Sequence, residues 1–459
     1  MNLKPIFLFL IVLTWCGCKT YDAQQTRSEH TEGFRHDLDA QTAALLAQPL
    51  SLQDCLTIAM TNNYEARQAD LRHELARLGK DIAFSEFLPK MTLAASATRN
   101  RFPNTVGGGL MAFERRSYSD AALNVDVPIL TPSVWFLYAA RRQQTEIAAI
   151  AAHYVRQVIV LETTRDYYTC LVQEEIINAL TAQRDAAQET FRRIDSLAAE
   201  GMSTAWEREL ARARYEDRAA ALSQAERGLV TARGALLLTL GLAPDASITL
   251  AGAPDESALL DTTLEERVLQ ALARHPELAM ADRNVVVRNH QVRQAFCDFL
   301  PNVMGFWTGT YADNTSMDRL HNWKLGLAGT WKLFDGFANV ARYRSSKVER
   351  TSAELSRESL FLSIMLEVTR AHMGIQDATD AYHVATQNHH AYDLKSGDYR
   401  EKMRAGLIPA KDSLEAEAER DTAQVILVQT RYQEAIARAT LDLAMGTTLL
   451  PQTDLKKEE

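Results

Sequence analysis

A chain of 459 residues with 46% hydrophobic and 24% charged side chains can bury large cores and lacks the composition of a disordered protein. Its net charge of -9 supplies no basic face for nucleic-acid phosphates. Only 12 prolines and 20 glycines interrupt it, so its elements must be long.

In chain order, the first segment reads as an export signal. Lys4 gives a positive start, and residues 6 to 15 form an apolar run too short to cross a bilayer as a helix. The run closes on Cys16-Gly17-Cys18, and a small residue directly before a cysteine resembles the lipobox of bacterial lipoproteins. Gly17 before Cys18 suits a pocket for small side chains better than Trp15 before Cys16, although Trp15 stands where Leu or Val is usual at the third position before Cys18. The expectation is a signal over 1–17 and lipidation of Cys18; an ordinary cleaved signal followed by unrelated cysteines is the alternative. Residues 18–50 are polar and aperiodic, and read as a lipid-anchored linker. Cys55, Cys170 and Cys297 are distant and odd in number, which points to buried packing and not to disulfides or zinc. Beyond the signal no apolar stretch reaches membrane-helix length, so any span must be made of β-strands.

No proline falls between Pro132 and Pro244, or between Pro301 and Pro409. In the first gap, Ile147, Ile150, Tyr154, Val158, Leu161, Tyr168, Val172 and Ile176 form one stripe, predicting a helix over 133–199. At 1.5 Å per residue it is roughly 100 Å long.

The chain also repeats. Leu52 to Ala59 matches Leu264 to Ala271, and Phe84 to Pro89 matches Phe296 to Pro301, both 212 residues apart. Gly201 and Gly406, like Gly241 and Gly446, stand 205 apart, which puts about seven extra residues in the first copy. The copies span 51–248 and 263–448, with a polar tail over 449–459. After each Leu-Pro the period changes to two: 90–98 with 123–129, and 303–311 with 323–333, predict a strand pair in each copy, within 90–130 and 302–334. The glycine run 107–109 places the extra residues in the first loop. Four strands cannot close a useful barrel alone, so oligomerisation is required.

This order of motifs, in two copies, resembles the TolC-type outer-membrane efflux proteins. The residues are Leu52, Ala59, Asn62-Asn63, Leu88-Pro89 and a hairpin ending at Leu130, then Leu300-Pro301 and a hairpin ending Leu333-Phe-Asp-Gly336, with helix pairs turning at Gly201 and Gly406 and closing at Gly241 and Gly446. The likeness covers 51–447. It implies a mainly α fold with a β membrane part: long antiparallel helices forming an α-helical barrel, and four strands per chain completing a trimeric 12-stranded β-barrel. It further implies a bacterial outer-membrane location extending into the periplasm, a passive conduit for efflux or type I secretion, and three kinds of partner: a homotrimer, a periplasmic adaptor with an inner-membrane pump, and outer-membrane lipid.

Asp412 and Glu415 lie three apart at the opening of the last long helix and share a face. The resemblance makes them a periplasmic gate, a ring of carboxylates around the trimer axis. They equally suit the positive end of a helix dipole, and the two roles are compatible. Glu207, at the matching place in the first copy, is a weaker candidate. Gly201 and Gly406 read as positive-φ turns, and the resemblance makes Met202, Ser203, Leu407 and Ile408 beside them the adaptor contacts. His389-His390 point in different directions on a helix and read as solvated, so no metal is expected. Trp307, Tyr311, Trp323 and Trp331 suit a membrane-boundary girdle or plain strand propensity. No cofactor or catalytic motif is present. A coiled-coil periplasmic adaptor is the second reading, disfavoured by the paired alternating strands; an enzyme is a distant third.

Overall fold

The computed structural model describes residues 23–46, 48–99, 101, 105–106, 111–112, 117–251, 262–313 and 321–451. The expected signal, Cys16, Cys18, the glycine run 107–109 and the tail beyond 451 lie outside the described residues. The stretch read as a linker carries a helix, α1 (Ala23–Leu45). It has no apolar stripe to reveal it, yet its end is stitched to the body. The buried Thr42 hydroxyl accepts the Ala243 N–H at 3.3 Å, and Leu50 pairs in parallel with Leu250.

Each copy opens with a short helix and a longer one. In the first, α2 (Leu52–Asn62) begins at a capping box in which Ser51 and Asp54 satisfy each other's backbone N–H, and α3 (Tyr64–Ser85) follows after the cap Asn63. The second copy reproduces both lengths. There α6 (Leu264–Arg274) starts at a Thr263–Glu266 box and α7 (Pro276–Cys297) follows the cap His275.

The main sheet comprises β1 (Lys90–Arg99), β4 (Ser117–Leu130), β5 (Asn302–Ala312) and β6 (His321–Thr330), in the order β1-β4-β5-β6 and antiparallel throughout. A small ribbon, β2 (Thr105–Val106) with β3 (Met111–Ala112), occupies part of the first hairpin loop. β6 is shorter than expected, because the chain leaves the ladder after Thr330 and Trp331 instead bonds the Phe299 carbonyl through its Nε1 at 3.1 Å.

Register sorts the side chains into two faces. Leu93, Leu123, Gly309 and Trp323 line up across the four strands, as do Met91, Val125, Trp307 and Leu325 on the same face. The opposite face aligns Thr92, Asn124, Thr308 and Lys324, and carries the Ser96 hydroxyl donating to Asp120 at 2.9 Å. One face is apolar and the other polar, as a barrel between lipid and a wet lumen requires.

The long helices are α4 (Pro132–Ala199, 68 residues) paired with α5 (Ala205–Thr239), and α8 (Ala338–Arg404, 67 residues) paired with α9 (Ala410–Arg431) and α10 (Gln433–Ala444). Where α5 is continuous, its counterpart breaks at Tyr432. That ring is buried against Tyr168, and its hydroxyl donates to Glu175 at 2.5 Å. The two larger apolar cores sit mainly where helices of one copy meet, and Tyr432 of the second copy joins the first of them. One gathers Cys55, Ile58, Ile159, Tyr167, Cys170, Leu236 and Leu240; the other gathers Ala271, Leu278, Ile364, Val368 and Leu441. Cys55, Cys170 and Cys297 are all buried and free, as expected. On α4 the deepest residues are Ile159, Thr163, Tyr167 and Cys170, beside the predicted stripe and not on it, because α4 is packed on several sides at once.

Candidate functional site

The two helix hairpins end side by side. Ile194 of α4, Ala211 of α5 and Leu414 of α9 form one small buried cluster near their tips. Both turns close in the same way. Gly201 has φ +77° and Gly406 φ +72°, while Met202 N–H bonds the Leu197 carbonyl and Leu407 N–H the Lys402 carbonyl. Met202 and Leu407 are exposed; Ser203 and Ile408 are half-buried.

The acid six residues past each glycine has a different fate in each copy. In the first, Thr204 caps α5 and Glu207 completes the box. The Glu207 carboxylate accepts the Thr204 N–H at 2.9 Å, the Thr204 hydroxyl at 2.7 Å and the Ser203 hydroxyl at 2.9 Å. These bonds, the Thr204 amide first, hold its carboxyl below the ordinary range. Glu207 is therefore committed to its own helix end. In the second copy Pro409 takes the place of Thr204 and offers no capping side chain. Asp412 is left with no ion pair or side-chain hydrogen bond among the described residues. Glu415, one turn on and exposed, meets only the exposed Lys411 at 3.5 Å.

α9 is tied to the other pair by buried polar groups that sequence reading missed. Asp421, almost fully buried, has Arg218 of α5 at 3.6 Å and Arg420 at 2.7 Å. Gln183 of α4 donates to the Asp421 carbonyl at 3.3 Å and to Gln424 at 3.1 Å. In the sequence, Arg420-Asp421 looks like any solvated charge pair on a helix, and nothing local marks it as buried. A polar groove of about 590 Å³ opens beside these ties, lined by Arg193, His389, Asp393, Arg404 and Glu417 among others. His389 is half-buried and His390 exposed, so they do diverge. At the barrel, Trp307, Tyr311 and Trp323 share the apolar face, while Trp331 lies past the end of β6.

The family model described as outer membrane efflux protein matches residues 56–242 and 268–447. Outer membrane protein OprJ of Pseudomonas aeruginosa is 26% identical over 331 residues, which is 70% of this chain and 68% of that protein. Protein CyaE of Bordetella pertussis is 26% identical over 206 residues, 44% of this chain and 43% of that one. In fold, the chain is similar to the CmeC outer membrane channel of Campylobacter jejuni, with a TM-score of 0.78 at 19% identity, covering 88% of this chain and 87% of that one. A match over both repeats, together with this fold, means that the chain belongs to the outer membrane efflux protein family, the channel-tunnels of tripartite efflux and secretion systems, which are not enzymes.

Proposed function

We propose that three copies of this chain close one conduit, a β-barrel in the outer membrane continued by a helical barrel in the periplasm, through which a pump and adaptor pass their cargo passively. The observation that carries this reading is the sheet with two open edges. β1 and β6 each have one unpaired side, and their apolar face is built for lipid, where unpaired backbone groups are not tolerated. Pairing β6 of one copy with β1 of the next removes both edges. The helices carry matching signs: Leu71, Leu75, Leu78 and Ile82 on α3, and Val348, Leu355, Leu362 and Leu366 on α8, form exposed stripes at coiled-coil spacing.

Within this conduit, Asp412 and Glu415 gate the periplasmic mouth, and the turns at Gly201 to Ser203 and Gly406 to Ile408 meet the adaptor. Lipid on Cys18 holds the chain to the membrane. The test is to purify the protein in detergent, measure its mass by light scattering and record it in planar bilayers. A trimer with discrete, cation-favouring conductance is expected. A monomer, or a trimer that never conducts, sinks the reading.

A further inference from the structure

Phe306 stands on the wrong side of the sheet's sorting. Its row is Lys90, Asp126, Phe306 and Gly326, all on the polar face, one row from Thr92, Asn124, Thr308 and Lys324. Its chain neighbour Trp307 pairs with Val125 and Leu325 on the apolar face, so the parity of β5 is fixed on both sides. Among the described residues Phe306 is the one phenylalanine on the polar face of this sheet. A wall turned to a wet lumen needs no such ring for a core.

The ring does not stand up from the wall. It lies across β6 with its tip over Gly326, its direct cross-strand partner. A Cβ on Gly326 would come within 2.8 Å of the Phe306 Cζ and 3.0 Å of its Cε1. Phe306 is half-buried in consequence. Glycine inside a strand weakens it, and here it leaves the recess that a flat ring requires. An aromatic ring laid over a strand glycine recovers part of that cost, which is a matter of sheet stability alone. The apolar face does the same, where a Cβ on Gly309 would meet the Trp307 ring at 2.7 Å. Stability therefore accounts for a ring on either face. Choosing the polar face adds something else, an apolar surface where the rest of the wall is hydrophilic.

Asn302, Met304 and Phe306 are the first three positions of that face after Pro301, which puts the ring roughly 13 Å along β5 from its helical end. Exposed Met304 lies next to it, and Asp126 and Lys324 keep charge close by. Ala94 holds the matching place 212 residues earlier, so each copy brings one ring and three copies bring three at one height. We propose that Phe306, stowed on Gly326, forms with its symmetry mates an apolar collar in the lumen near the helical end of the barrel. The collar contacts amphiphilic cargo, molecules with an aromatic or aliphatic body and a charged end, and Gly326 sets how far each ring projects. The inference rests on the outer-membrane channel reading.

The test records the full-length trimer in planar bilayers with tetraphenylphosphonium, a cation wrapped in four phenyl rings. It is added on the side of the loops that join β1 to β4 and β5 to β6, so that it meets the barrel before the helical tunnel. Its block of the parent channel should weaken several-fold in Phe306→Ser. Tetramethylammonium has the same charge and little apolar surface, and its block should not depend on residue 306. Gly326→Ala lifts the ring off the wall and should strengthen tetraphenylphosphonium block several-fold. A block unchanged in Phe306→Ser overturns the collar, above all if only the thermal midpoint falls, the result of a ring that merely shores up its strand. A block unchanged or weakened in Gly326→Ala overturns the role of the recess. If the serine variant does not assemble, Phe306→Leu decides the matter. It should weaken the block less, since the aliphatic side chain offers no ring to stack on, and an unchanged block overturns the collar there too. A trimer that never conducts sinks the channel reading, whereas a conducting trimer whose block ignores residue 306 sinks the collar alone.

Discussion

Glu207 and Asp412 each stand six residues past a tip glycine, yet Glu207 is held by Thr204 and Ser203 while the Asp412 carboxylate has no hydrogen bond or ion pair among the described residues. The difference traces to one position, Thr204 in the first copy and Pro409 in the second. A proline has no hydroxyl to offer, so the acid three residues later has nothing to cap. The first helix end is capped by its own side chains, and the second is not.

Removing Asp412 and Glu415 should widen or neutralise the proposed periplasmic mouth. The double substitution Asp412→Ala with Glu415→Ala is expected to raise single-channel conductance and relieve block by divalent cations. Conductance and block both unchanged would show that these acids only complement the helix dipole.

Pro409→Thr should do the opposite of freeing the acid. It restores the capping residue, and the Ser51–Asp54 box shows that an aspartate is long enough to complete one. Asp412 would turn back to its own backbone, stabilising the tip by about 1 kcal/mol and weakening cation block. Planar-bilayer recordings with and without divalent cation decide it.

Thr204→Ala should cost about 1 kcal/mol of local stability at the first tip. Because the folded-state pKa of Glu207 is depressed, its contribution is present above the ordinary value of 4.5 and lost as pH falls through the folded value. Glu207 is partly solvated, so the pH-dependent part is below about 1 kcal/mol. Hydrogen exchange at residues 205–208 between pH 3 and 7 measures it; a tip whose protection ignores pH in the parent protein contradicts the assignment.

Asp421→Asn leaves Arg218 and Arg420 without their buried carboxylate, with only its amide in place. A loss of about 3 kcal/mol follows from an uncompensated buried charge. It should appear first as faster hydrogen exchange along α9, and then as a channel that opens more often. Wild-type exchange rates on α9 would count against the tie.

Exposed leucines make the last case. Leu75→Glu on α3 and Leu355→Glu on α8 should each abolish the trimer in detergent without lowering the helical content seen by circular dichroism, because neither touches its own core. A trimer that tolerates both charges would move the seam elsewhere.

The first long helix, the turn glycines, the strand pairs and the duplication were legible in the sequence. Periodicity, proline spacing and φ preference are properties of residues close together in the chain. The Thr204–Pro409 difference was passed over, although a capping box is a four-residue pattern that the sequence displays. Helix α1 was not legible, because its residues form no stripe and its docking depends on Ala243 and Leu250, some two hundred residues away. The burial of Asp421 depends on Arg218 and Gln183 arriving from other helices, and Phe337, with φ +67°, lies between Trp331 and Asn339, which bond Phe299 and Asp298 of another segment. The sequence by itself determined which elements exist and how they repeat, because those follow from neighbours along the chain. Only the tertiary structure decided which charges are tied, which are free and where strain is kept, because those depend on side chains the fold brings together from distant segments.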